Sequence, residues 1–236
     1  MVQLILLVLL ATCIVAEDPL ANTTTGSVSG IWSTSTSGRT YAAFSGIPYG
    51  EPPTKTRRFL RPEPAQPWEG VKKSRSGIKC INRNIFKPLH PMDGQEDCLI
   101  INVFTPKWSA GAPLRDPLPV MVLIHGGGYV SESSSEELYG AKKLMDKDIV
   151  LVTFNYRLSV LGGLFLDGDV VGGNQQMWDQ RIALRWIQEN IEYFGGNKDL
   201  VTITGESAGA MSVMNHVLSP QSKGLFSAAI AQSGSP

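Results

Sequence analysis

Apolar residues in this chain gather into short runs instead of spreading evenly. Val120–Ile124, Ile149–Phe154, Val201–Thr204 and Ala228–Ala231 are such runs. Stretches of this length without strict alternation suit parallel strands covered on both faces. Between the second and third runs, Met177, Ile182, Trp186, Ile187, Ile191 and Phe194 recur at helical spacing. Asn174 predicts the N-cap of that helix and Gly195-Gly196 its stop. Its Trp-bearing face reads as core packing, the alternative being an aromatic cage. Nearer the N-terminus the pattern is that of hairpins. Ile31–Thr36 and Thr40–Phe44 flank the turn signal Ser37-Gly38-Arg39, and Leu99–Phe104 is a further strand. Pro48, Pro52, Pro53, Pro62, Pro64 and Pro67 forbid regular structure between them and predict an ordered, irregular surface layer. Hairpins followed by β–α–β units predict the α/β class: one domain around a mixed, mostly parallel sheet with N-terminal antiparallel hairpins. No internal repeat is present.

Composition narrows the function classes. The chain is 42% hydrophobic and 18% charged, a globular balance, and its formal net charge is zero. Zero charge gives no electrostatic reason to expect nucleic acid, and Lys72, Lys73, Arg75 and Lys79 read as a solvated face. Leu4–Leu10 is wholly apolar, and Ala16 ends a small-residue cleavage site before Glu17-Asp18-Pro19. This predicts a secretory signal peptide over residues 1–16, although its n-region has no Lys or Arg. The run is too short to span a bilayer, so no membrane anchor is expected and the mature chain is expected outside the cell. Cys13 leaves with the signal. Cys80 and Cys98 remain, and an oxidising compartment favours their pairing over two buried thiols. The chain-entropy account gives such a link roughly 3 kcal/mol. Asn22-Thr23-Thr24 is the sole N-glycosylation sequon, so Asn22 is the expected glycan site.

Two motifs carry chemistry. Gly205-Glu206-Ser207-Ala208-Gly209 fits the G-x-S-x-G nucleophile elbow, a sharp strand-to-helix turn that exposes one serine hydroxyl. The bland alternative is an ordinary Gly/Ser turn. The flanks favour the elbow: Val201–Thr204 reads as a buried strand and Ala208–Leu218 as a helix. The second motif is His125-Gly126-Gly127-Gly128-Tyr129, directly after the run ending at Ile124. It fits the HGGG-type loop whose backbone N–H groups join the N–H after the serine in an oxyanion hole. Its alternative is a plain glycine loop. Neither motif calls for a metal ion or other cofactor.

With these segments placed, the chain resembles the type-B carboxylesterase family, which includes the cholinesterases. The shared stretches are Phe44-Ser45-Gly46-Ile47-Pro48-Tyr49, Arg58-Phe59 with Pro62-Glu63-Pro64, Glu96-Asp97-Cys98-Leu99, Asn102-Val103-Phe104, the glycine loop, Asn155-Tyr156-Arg157, Asp179-Gln180, the elbow, and Gln232-Ser233-Gly234-Ser235. The resemblance implies the α/β-hydrolase fold, hydrolysis of a small-molecule carboxylic ester through an acyl-enzyme, and several residue roles. Ser207 is implied as nucleophile, Gly127, Gly128 and Ala208 as oxyanion donors, and Glu206 as the acidic neighbour of the site. Cys80 with Cys98 is implied as a disulfide, and Arg58 with Glu96 and Arg157 with Asp179 as ion pairs.

The chain also departs from the family pattern. In cholinesterases the loop closed by the first disulfide carries a tryptophan that stacks on choline. Here Ile81–Asp97 has none, its aromatic groups being Phe86 and the His90 imidazole. A quaternary ammonium has no cation–π platform there, so neutral esters are the expected substrates. The family usually has glycine at Ser159 and phenylalanine at Gly163. The triad order on this fold is serine, then acid, then histidine. After Ser207 the chain has no Asp or Glu, and its one later histidine is His216 in the same helix. His125 belongs to the glycine loop and reads as structural. Residues 17–236 are therefore expected to be the N-terminal portion of a carboxylesterase, truncated before the triad acid and histidine and inactive alone. Two other readings compete: a non-catalytic adhesion protein of the same fold, and a protein that sequesters esters or organophosphates stoichiometrically. The sequence leaves oligomeric state open.

Overall fold

A computed structural model describes residues 17–83, 89, 91–109, 114–167 and 171–235. The expected signal segment with Cys13, the loop residues Phe86 and His90, and Pro236 lie outside these. In chain order the strands are β1 (Leu20–Thr23), β2 (Gly26–Ser29), β3 (Ile31–Thr34), β4 (Thr40–Pro48), β5 (Val71–Lys73), β6 (Ile100–Thr105) and β7 (Leu118–Ile124). A short helix α1 (Glu136–Tyr139) precedes β8 (Val150–Phe154). Then come α2 (Ser159–Gly163), the two-residue strands β9 (Phe165–Leu166) and β10 (Val171–Gly172), α3 (Gln175–Asn190), β11 (Gly196–Glu206), α4 (Ala208–Leu218) and β12 (Ala228–Gln232).

Seven strands form the main sheet in the order β12-β11-β7-β8-β6-β4-β3. From β12 to β8 the neighbours run parallel. From β8 to β3 they run antiparallel. The apolar runs fall on strands of the parallel half, but their burial differs: every residue of β8 is buried, as expected for a strand covered on both faces, β7 alternates, and every residue of β12, the strand at the sheet edge, is exposed, contrary to that expectation. The period of two then sorts side chains between two cores. Val150, Val152 and Phe154 enter the larger core with Phe44, Ile101 and Val103. Leu151 enters the other face with Tyr41, Ala43, Phe104 and Met145. The helix α3 covers the larger core with Ile182, Leu184, Trp186 and Ile187, so its Trp186 packs as core.

Helix α3 ends in a 3-10 turn over Ile191–Phe194, closed by Gly195 at φ +79°. At its start Asn174 occupies the N-cap position, but its side chain makes no capping bond. Its backbone is left-handed (φ 56°), not the extended form that aims a side chain at the first N–H groups. Its carbonyl instead accepts from the N–H groups of Met177 and Trp178.

The proline-rich stretch is irregular, as expected, and ion pairs and a disulfide bind it to the sheet. Cys80 and Cys98 are buried and bonded. Arg58 meets Glu96 at 2.8 Å. Arg157, three residues beyond β8, is buried against Asp179 of α3. Its Nε and Nη2 donate to the two carboxylate oxygens at 2.8 and 2.7 Å, and its own N–H donates to Oδ2 at 3.0 Å. Its Nη1 donates to the carbonyls of Arg58 and Leu60. That one guanidinium therefore joins the proline layer, β8 and α3. Lys72, Lys73 and Arg75 are exposed, with Lys72 lying over the Trp68 ring.

Candidate active site

The elbow and the glycine loop leave the same end of two adjacent parallel strands. Gly205 of β11 pairs in register with Ile124 of β7, and each chain turns away just beyond. Between β11 and α4 sits Ser207 at φ 55° and ψ −121°, a backbone conformation that residues with side chains rarely adopt. The surroundings enforce it. A Cβ on Gly205 would lie 2.3 Å from the Gly209 carbonyl carbon. A Cβ on Gly209 would lie 2.1 Å from the Ile124 oxygen. Only glycine allows the helix to approach β7 this closely. The N–H of Ser207 donates to Gln232 of β12, and its carbonyl accepts from Met211, closing the first turn of α4. Partly exposed, Ser207 stands at the N-terminus of α4, where the helix dipole favours developing negative charge.

The loop after β7 bends through Gly127 (φ 88°), Gly128 (φ 61°) and Tyr129 (φ 61°). The Gly127 carbonyl accepts from the N–H groups of Val130 and Ser131, folding the loop back on itself. Among the described residues no acceptor takes the N–H of Gly127, Gly128 or Ala208. Gly126 abuts the elbow: a Cβ there would meet the Glu206 backbone oxygen at 2.8 Å, Glu206 Oε2 at 3.1 Å and Ser207 Cβ at 3.6 Å. The structure thus brings together Ser207, Ala208, Glu206 and the glycine triplet. The Glu206 carboxylate faces Gly126 from a solvent-exposed position.

Neither described histidine serves Ser207. His125 is buried, stacks on Tyr156 at 4.3 Å between ring centroids, and has Nδ1 at 3.1 Å from the Gly126 oxygen. Burial lowers its pKa to about 4, so it is neutral near pH 7. His216 is buried behind α4 with both ring nitrogens engaged, Nδ1 by Ser222 and Nε2 by Gln180. Burial, aided by the nearby Arg181 charge, lowers its pKa to about 4.

Sequence reasoning missed the polar groups that brace the glycine loop. The Tyr139 hydroxyl donates to Glu132 at 2.6 Å and accepts from the Gly126 N–H at 3.4 Å. Burial, with Glu132 adding to it, raises the Tyr139 pKa. On the other side the Tyr129 hydroxyl bonds to Ser212 of α4. At Ser159, where the family usually has glycine, φ is 55°, a strain glycine would relieve, and the N–H donates to the Tyr129 carbonyl at 2.6 Å.

A strained serine between a strand and a helix, above a mixed sheet and beside a glycine loop, defines the α/β-hydrolase class. A solved structure of juvenile hormone esterase from Manduca sexta, with OTFP covalently attached, shares this fold at a TM-score of 0.85 and 36% identity, covering 93% of this chain and 41% of that one. The family described as "Carboxylesterase family" matches residues 17–236, and the chain belongs to it. Juvenile hormone esterase of Tribolium castaneum is 45% identical over 219 residues, covering 92% of this chain and 37% of the relative. Esterase E4 of Myzus persicae is 45% identical over 226 residues, covering 95% of this chain and 40% of the relative. The chain therefore spans about two fifths of the length of these relatives.

Proposed function

We propose that this chain carries the nucleophile and oxyanion hole of a secreted serine carboxylic-ester hydrolase working through an acyl-enzyme. The observation that carries the reading is the left-handed backbone of Ser207, set on the strand adjacent to the glycine loop. In this reading Ser207 Oγ attacks the ester carbonyl, and the oxygen that gains the charge is received by the N–H groups of Gly127, Gly128 and Ala208. Each donor is worth on the order of 3 kcal/mol of barrier. Glu206 supplies negative charge beside the loop.

A serine needs a base to act as a nucleophile near neutral pH. His125 and His216 are both held elsewhere. On this fold the triad acid and histidine follow the serine in the chain, and after Ser207 there is no Asp or Glu; the base and its acid are therefore assigned to a part of the whole protein outside these residues, and residues 17–236 alone are expected to turn over esters poorly. The substrate class is a neutral carboxylic ester, because Ile81–Asp97 has no tryptophan to receive choline. Removal of residues 1–16 and a glycan at Asn22 belong to the same proposal. Asn22 is exposed on β1, and both the N–H and the hydroxyl of Thr24 bond to Asn190.

The test is covalent labelling of the full-length protein with a fluorophosphonate. Label is expected on Ser207 and should vanish in Ser207→Ala. Labelling that survives this substitution defeats the assignment.

A further inference from the structure

We propose that Tyr129, Ser212, Gln180 and His216 form a positioning relay that holds the two halves of the oxyanion hole in register. The inference rests on the preceding reading of Gly127, Gly128 and Ala208 as the oxyanion donors. Those donors sit on separate pieces of chain. Gly127 and Gly128 lie on the loop after β7, and Ala208 opens α4. Tyr129 follows the loop glycines directly. Its hydroxyl meets Ser212 Oγ, on the same helix as Ala208, at 3.1 Å. One side-chain hydrogen bond thus bridges the two halves.

Ser212 is itself held. Gln180 Nε2 donates to Ser212 Oγ at 3.0 Å, and Gln180 Oε1 faces His216 Nε2 at 3.1 Å. His216 Nδ1 meets Ser222 Oγ at 2.8 Å. Chemistry orders the protons along this row. An amide oxygen only accepts, so His216 Nε2 carries the hydrogen and Nδ1 accepts from the Ser222 hydroxyl. That fixes the Gln180 amide, which fixes Ser212. Ser212, Gln180, His216 and Ser222 are all buried, so no bulk water replaces a lost partner and each group's orientation depends on the next.

The far side of Tyr129 is tied as well. Its carbonyl accepts from the Ser159 N–H, and its ring packs edge-on against Tyr156 at 6.4 Å. Its left-handed backbone (φ 61°) makes the loop geometry one that must be held in place. A slack loop would still admit an ester but would meet the charged oxygen of the transition state less well. The relay should therefore act on kcat more than on KM.

The experiment measures kcat and KM on a p-nitrophenyl ester, and the inhibition constant of a trifluoromethyl ketone, in the full-length protein. Tyr129→Phe keeps the ring and removes the bond. It should lower kcat about three- to tenfold, the range a net hydrogen bond supports. KM should stay within about twofold, and the ketone, which mimics the oxyanion, should weaken in step with kcat. Ser212→Ala should act in the same direction, and Ser212→Thr, which keeps the hydroxyl, should restore most of the loss. The effects of Tyr129→Phe and Ser212→Ala should not add, because both remove the same link. An unchanged kcat in Tyr129→Phe, or a change confined to KM, overturns the relay. Fluorophosphonate labelling run in parallel separates the two ideas. No labelling of wild-type Ser207 defeats the nucleophile assignment, whereas labelling with unchanged kcat in Tyr129→Phe defeats the relay alone.

Discussion

Removing either partner of the Arg157–Asp179 pair should destabilise the protein, but with opposite sensitivity to pH. Arg157 is 3% exposed and Asp179 fully buried at the side chain. Asp179→Ala strips the guanidinium of its two bonds to the carboxylate, and the Arg157 N–H of a third, leaving the guanidinium two carbonyl partners, Arg58 and Leu60. An arginine stays charged at any accessible pH, so the cost should be about 3–5 kcal/mol and nearly flat with pH. Arg157→Ala instead leaves a buried carboxyl, which has an escape. Burial already pushes the Asp179 pKa up, and the Arg157 bonds and charge are what pull it back. Without the Arg157 side chain only the backbone N–H at 157 still favours the carboxylate, the upward push of burial dominates, and the folded state takes up a proton.

The sign follows from the folded pKa lying above the unfolded value of about 3.9. Stability is fully present below about pH 4 and falls by up to about 1.4 kcal/mol per pH unit as pH rises towards the folded pKa. Urea denaturation of both variants between pH 4.5 and pH 8 reads this directly. Arg157→Ala should approach the wild type at the acid end, and Asp179→Ala should not. The double variant Arg157→Met/Asp179→Leu should be less damaged than either single change, since it buries no charge. Parallel, pH-independent losses in both single variants would refute this reasoning.

Other expectations are more compact. Non-reducing peptide mapping of the protein expressed in a secretory host should find the Cys80 and Cys98 peptides joined, and replacing the pair by serine should cost roughly 3 kcal/mol. A complete protein should favour neutral aliphatic or aryl esters, so a large kcat/KM preference for a choline ester of the same acyl group would contradict the reading of Ile81–Asp97. Ser159→Gly should raise stability by about 1 kcal/mol in thermal or chemical denaturation, because its φ of 55° suits glycine. His125 and His216 have folded pKa values lowered to about 4. Stability should therefore be held above about pH 6.5 and fall as pH drops towards 4, by up to about 1.4 kcal/mol per unit for each; a flat profile over that window would count against their buried, neutral state.

The sequence disclosed the parts of the fold that local chemistry decides. Apolar runs marked β7, β8 and the end of β11, because the central strands of the sheet bury most of their side chains. The elbow and the glycine loop were legible because their backbones demand small residues at fixed spacing, and the register of β7 and β11 then brings them together. The first hairpin of β1 and β2 escaped notice because its short strands mix small, polar and apolar residues and lack an apolar run. The N-cap at Asn174 was placed correctly, but its bond was not, since one residue type serves both extended caps and left-handed turns. The relay from Tyr129 to Ser222 left hardly a trace. Ser212 and His216 share a helix face at i, i+4 spacing, but Gln180 and Tyr129 come from distant segments, and no local rule links them.

The strain at Ser207 also bears on how such a chain drifts under mutation. Of the residues in Gly205–Gly209, it alone combines a side chain with a left-handed φ, at a cost of about 1–3 kcal/mol. Glycine at 207 would relieve that strain while leaving the turn and its neighbours in place. A lineage maintained only for folding or for surface recognition would gain stability by losing this serine, through a change that needs no second adjustment. Alanine would keep the strain and lose the hydroxyl, so nothing in the fold favours it. A side chain at 207 is therefore held against the thermodynamic gradient, and in chains of this architecture a glycine there is the substitution to expect once selection for chemistry lapses.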